Sequence, residues 1–206
     1  MSTIITRLFD TYEHASLAVT ELEKNGILHS DISLVANNTD DRYASVVPSS
    51  HTGHDTAANG AGTGATLGTV LGGGAGLLAG LGMLAIPGVG PVVAAGWLIA
   101  TAVGAGVGAA SGGLLGSLVG AGVSETDAHV YAEGVRRGGT LVTVKVADGQ
   151  SAVVERILDT HSPVDTAVRG DTYRAEGWSR FDEGAPAYRA GGAPDLGTTT
   201  RTTPLI

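Results

Sequence analysis

The sequence predicts an α+β protein: two strand–helix–strand units split by one long apolar helical hairpin. Three observations predict it. Short β-branched runs alternate with amphipathic helix periods at both ends of the chain, and the middle of the chain carries no charge. Inside that middle stretch, glycines recur at every fourth position.

The first unit occupies residues 1–36. Ile4, Ile5, Leu8 and Phe9 form a β-branched and aromatic run, expected as a strand. Asp10, with Glu13 three residues on, reads as a capping box that opens a helix. Ala15, Ala18, Val19 and Leu22 then recur at helical spacing and give it one apolar face. Asn25-Gly26 closes the helix with residues that tolerate positive φ. Ile32 to Val35 supplies a second strand, expected parallel to the first in one sheet.

Residues 37–59 read as a polar linker rich in Asn, Ser, Thr and Asp. His51 and His54 stand there as HxxH, but two histidines without a third ligand do not make a metal site. They read as polar loop residues, and no metal or other cofactor is expected.

From Thr56 to Ser124 the chain has 69 consecutive residues without Asp, Glu, Lys or Arg. Residues 60–123 hold two glycine rows. Gly60, Gly64, Gly68, Gly72, Gly76 and Gly80 form the first. Gly96 opens the second, which continues at Gly104, Gly108, Gly112, Gly116 and Gly120. On a helix, positions four apart lie nearly above one another, so each row makes a groove into which a second helix can pack closely. An interior glycine costs a water-exposed helix roughly 1 kcal/mol against alanine. Such zippers are therefore expected in lipid or deep inside an assembly. Pro87, Gly88, Gly90 and Pro91 break the helix between the rows and turn the chain. The flanking segments would extend roughly 40 and 48 Å at 1.5 Å per residue, enough to cross a bilayer. The alternative is a protein-only core that buries the rows against one another.

Residues 124–169 hold the second unit. Ser124 with Asp127 caps a helix that ends at Gly138-Gly139. Leu141 to Val146 alternates, with Val142, Val144 and Val146 on one side. Asp148 is expected to cap a further helix through Val153, Val154, Ile157 and Leu158, and Val164 to Val168 a last strand. Two such units suggest a ferredoxin-like βαββαβ sandwich with the apolar block inserted between its second and third strands. A hairpin that leaves and returns on one side of a membrane suits that connection. Residues 170–206 lose all period and read as a flexible tail; its spaced Tyr173, Trp178, Phe181 and Tyr188 offer a segment that lies across a neighbouring subunit.

The chain has no cysteine, which excludes disulfides, thiolate metal sites and redox dithiols. Twelve basic residues against twenty acidic ones, without a basic cluster, argue against nucleic-acid binding. No phosphate-binding loop or nucleophile–base pair can be nominated, so no catalytic residue is expected and the chain reads as a non-enzyme.

Leu8-Phe-Asp-Thr-Tyr12, Asp31 to Asn37, the glycine rows, Ala132-Glu-Gly-Val-Arg-Arg-Gly-Gly-Thr-Leu-Val142 and Gly177-Trp-Ser-Arg-Phe-Asp182 together resemble the bacterial general stress proteins, which include low-temperature-induced glycine-zipper membrane proteins. The resemblance covers nearly the whole chain and brings no catalytic residues. It implies a stress-associated structural protein that homo-oligomerises through its glycine rows. The expected setting is the bacterial inner membrane, with the lipid bilayer and its own copies as partners and the polar domain and tail in the cytoplasm.

Overall fold

The computed structural model describes residues 2–39, 82–86, 88–99, 113–147, 149–185 and 188. In chain order these give β1 (Ser2–Phe9), α1 (Tyr12–Lys24), a 3-10 turn (His29–Asp31), β2 (Ile32–Asn37), β3 (Gly82–Ile86) and β4 (Gly90–Ala95). Then come α2 (Leu114–Gly120), α3 (Glu125–Arg136), β5 (Thr140–Ala147), α4 (Ser151–Thr160) and α5 (Thr166–Ala175). The fold is α+β, with one five-stranded sheet in the order β1-β5-β2-β4-β3, antiparallel throughout.

β1 and β2 both run antiparallel to β5, which lies between them. They are therefore parallel to each other, as the strand–helix–strand reading requires, but not neighbours. Thr11, rather than Asp10, caps α1 by accepting a hydrogen bond from the His14 N–H. Ser124 caps α3 as expected, accepting from the Asp127 N–H and donating its hydroxyl to the Asp127 carboxylate at 2.6 Å.

The sheet is buried on both faces. On one, Ala15, Val19 and Leu22 of α1 and Val154 and Leu158 of α4 pack on Ile5, Leu34, Val142, Val144 and Val146. On the other, Leu114 and Leu118 of α2 and Ala128, Tyr131, Ala132 and Val135 of α3 pack on Leu8, Val35, Val92 and Leu141. Two helical layers thus enclose the central strands, and every residue of β2 is buried.

Several expectations are corrected by this arrangement. The fourth strand that a ferredoxin-like sheet would set beside β1 is absent among the described residues, so β1 is an edge there, and helices cover both faces. The chain on either side of the 87–91 turn is extended, not helical: β3 and β4 pair from Gly82↔Ala94 to Ile86↔Gly90. β-branched Val92 and Val93 favour the strand, and Gly88 and Gly90 take the positive φ that the turn needs. Asn37 is the last residue of β2 and Asn38 is fully buried, so the linker does not begin at 37. The last expected strand, Val164 to Val168, is mostly the first turn of α5: the Asp165 carboxylate accepts from the Ala167 and Val168 N–H groups. Its one strand-like contact is the Val164 N–H on the Leu8 carbonyl, 2.7 Å away on the outer edge of β1. Residues 170–185 are not a loose tail, since α5 and the segment after it pack against the body.

Among the described residues, no helix is long and apolar enough to cross a membrane. That finding overturns the expected inner-membrane placement.

Candidate functional site

Of the twelve glycines expected to pack helices, Gly96, Gly116 and Gly120 fall within the described residues; the other nine lie outside them. Gly96 is not helical. It turns the chain out of β4 with φ +99°, and a Cβ there would stand 2.2 Å from the Ile32 carbonyl oxygen. Its glycine is needed for that close approach to β2. Gly116 and Gly120 do lie on a helix, α2, and Gly120 is exposed with nothing within 4 Å of where a Cβ would be. Of the expected turn residues, Gly88 lies in the turn between β3 and β4, Gly90 and Pro91 are the first residues of β4, and Pro87 lies outside the described residues. His51, His54 and Asp148 also lie outside them.

At the carboxyl end of α3, several charged side chains gather. Glu133 is 1% exposed and takes Arg136 Nη1 at 3.0 Å and Arg137 Nε at 2.7 Å. Arg137 also donates to Glu176, and its guanidinium carbon lies 4.1 Å from the centre of the Tyr173 ring. The Tyr188 ring stacks near both arginines. Burial opposes the Arg137 charge, but the hydrogen bonds to Glu133 and Glu176 outweigh it and hold its pKa above the ordinary guanidinium value. Burial pushes the Tyr173 phenol up. Arg137, through Glu176 and the Tyr173 ring, ties α5 to α3, and Glu133 holds both arginines in place from their own helix.

The segment continues that attachment. Gly177 turns the chain with φ +90°, and Trp178 meets Tyr173 edge to face at 5.7 Å. Phe181 enters the second core, and its N–H donates to His129 Nδ1 at 3.3 Å. The segment crosses the β3–β4 turn so closely that a Cβ on Gly88 would stand 2.5 Å from Glu183 Cα. The aromatics expected to reach a neighbouring subunit therefore include two, Tyr173 and Phe181, that are buried in their own chain. Sequence reasoning missed this site; its visible signs were the spaced aromatics Tyr173, Trp178 and Phe181 and the pair Glu133 and Arg137, four apart on one helix.

An open cleft of ≈ 370 Å³ lies at the outer edge of β1, lined by Arg7, Tyr131, Asp159, Val164, Asp165 and Thr166 among others. Its polar groups are engaged internally. Arg7 Nε donates to Asp159 at 2.9 Å and Arg7 Nη1 to the Thr6 carbonyl. Tyr131 donates its hydroxyl to that same carbonyl at 3.1 Å, and burial raises its pKa, chiefly against the lowering influence of Arg7. The cleft holds no nucleophile paired to a base. Among the described residues, no group of three His, Asp or Glu side chains is placed to hold a metal ion.

Residues of β1, of the end of α3 and of the segment after α5 lie at packing positions. Gly134 lets α3 approach Leu8, where a Cβ would stand 2.3 Å from a Leu8 methyl, and Glu133, Arg137, Trp178 and Phe181 fasten the carboxyl-terminal segment. No family model, no curated protein and no solved structure matches the chain.

Proposed function

We propose that the chain is a self-associating structural protein, not an enzyme, whose glycine rows pack helix against helix into a protein core shared by several copies. The observation that carries this reading is the β3–β4 register. Gly82 pairs with Ala94, so the row that precedes β3 and the row that follows β4 join the sheet at the same end. Rows that start side by side can meet along their grooves, where dispersion and Cα–H···O contacts favour close helix pairs. So long an uncharged stretch in water needs such cover, and copies of the same chain supply it. The polar groups of the β1 cleft, spent on one another, support a structural role over catalysis. The resemblance to general stress proteins adds the proposal that the assembly is made in response to stress.

The test is the mass of the native chain by sedimentation without detergent, beside Gly72→Leu and Gly112→Leu variants. A multimer that falls to monomer in both variants, with unchanged near-UV circular dichroism, supports the reading. Multimers of unchanged mass in both variants, or a monomeric native chain, overturn it.

A further inference from the structure

We propose that His129 is a pH-sensitive fastener for the segment Trp178–Ala185, which is docked while the imidazole is neutral and loosened when it is protonated. The geometry assigns one tautomer. Nδ1 accepts the Phe181 N–H at 3.3 Å, so the ring proton sits on Nε2, which faces the Glu125 carboxylate at 3.9 Å. Protonation puts a hydrogen on Nδ1, pointing at the hydrogen of Phe181. The acceptor is lost, and two donors face each other.

The segment has little else of this kind to hold it. Past the Trp178 N–H on the Tyr173 carbonyl, its other hydrogen bonds among the described residues run within itself: Ala185 N–H to the Asp182 carbonyl, and Gly184 N–H to the Asp182 carboxylate. Trp178 Nε1 and Glu183 Oε1 are shut away from water without a partner. What remains is Phe181 in the second core and the pass over Gly88.

The charged groups around His129 do not replace the lost acceptor. Glu125 lies on its own helix and is 80% exposed. The turn and β4, Gly88–Ile99, and the stretch around α2, Gly113–Val123, carry no ionisable side chain. On the segment, Arg180, Asp182 and Glu183 flank Phe181, and the Asp182 carboxylate is taken by Gly184 N–H. On α5, which packs on α3, Arg169 is paired with Asp10 and Arg174 with Asp171. These carboxylates can steady an imidazolium, but none offers the Phe181 N–H a new partner.

The experiment is amide hydrogen exchange at Phe181, corrected for intrinsic rate, from about pH 7.5 to about pH 5.5, the interval in which imidazoles change charge. In the native chain, exchange rises about tenfold on acidification, the equivalent of one lost hydrogen bond. In His129→Gln, whose amide oxygen accepts at any pH, it stays flat. A native chain equally protected at both ends, or a His129→Gln variant that loosens as much as the native chain, overturns the proposal. Should the variant misfold, nitrogen NMR of the native chain decides. An unprotonated Nδ1 near neutral pH, titrating together with the loss of Phe181 protection, supports the fastener. A protonated Nδ1 at neutral pH removes it.

Discussion

Gly96 lies against the backbone of β2: a Cβ at this position would come within 2.2 Å of the Ile32 carbonyl oxygen and 2.6 Å of Ser33 Cα. The neighbouring strand cannot move aside, because Ile32 pairs with Val144 and the Ser33 hydroxyl donates to the Ala95 carbonyl at 3.0 Å. Gly96→Ala adds the clash to the strain of φ +99°. The positive φ alone costs about 1–2 kcal/mol, and the overpacking about 1–3 more. Denaturant unfolding should show a loss of about 3 kcal/mol. A loss under about 1 kcal/mol would mean that this bend is not built as described.

Glu133 is a buried carboxylate held by two arginines. Glu133→Ala leaves Arg136 and Arg137 half-buried beside a space that held their counter-charge. Removing one partner of a buried ion pair typically costs about 3–5 kcal/mol, and partial exposure of the arginines puts this case near 3. Because Arg137 also grips Tyr173 and Glu176, the variant should become more sensitive to proteolysis near residues 173–181. Stability within about 0.5 kcal/mol of the native chain would contradict the fastening role.

The sequence was most legible where one period holds over a whole element. The helical spacing of Ala15, Ala18, Val19 and Leu22 and the alternation of Val142, Val144 and Val146 each mark residues of the first core. The strand order was not legible, because β1, β5 and β2 come together from distant parts of the chain and nothing local marks the partner. Val164 and Val168 suit a strand as well as one face of a helix, and the Asp165 cap decides for the helix. β3 and β4 sit between glycine rows whose four-residue period suggested helix on both sides of the turn. Of the attachment of the segment around Phe181, the spaced aromatics and the Glu133–Arg137 spacing were visible beforehand, but not the residues they meet. His129 and Gly88, which receive it, lie 52 and 93 residues away in sequence.

Phe181 tests whether that segment closes the second core. It is 4% exposed and shares its cluster with Val89, Leu98 and Leu114. Phe181→Ala removes the ring from a site where it is nearly sealed, and such truncations cost about 3–5 kcal/mol. A separate outcome would be local release, with the segment exchanging freely while the sheet keeps its stability. Global unfolding that is destabilised by about 3 kcal/mol makes the segment part of the core. An unchanged midpoint with loss of protection only at residues 178–185 makes it an appendage.

Tyr131 and Tyr173 should weaken the fold in alkali. Burial raises both phenols above their ordinary value, so the folded chain favours their neutral forms. A pKa raised on folding gives stability that is complete below the unfolded value, about 10, and is lost as pH rises through the folded one. Unfolding should therefore become easier above about pH 10. Ultraviolet absorbance should show these two phenols ionising later than exposed tyrosines. Tyr131→Phe removes one titrating group together with the bond to the Thr6 carbonyl, which keeps Arg7 as a donor. At neutral pH the variant should lose about 1 kcal/mol, and the alkaline decline should be shallower. A decline as steep as in the native chain would show that Tyr131 is not one of the groups responsible.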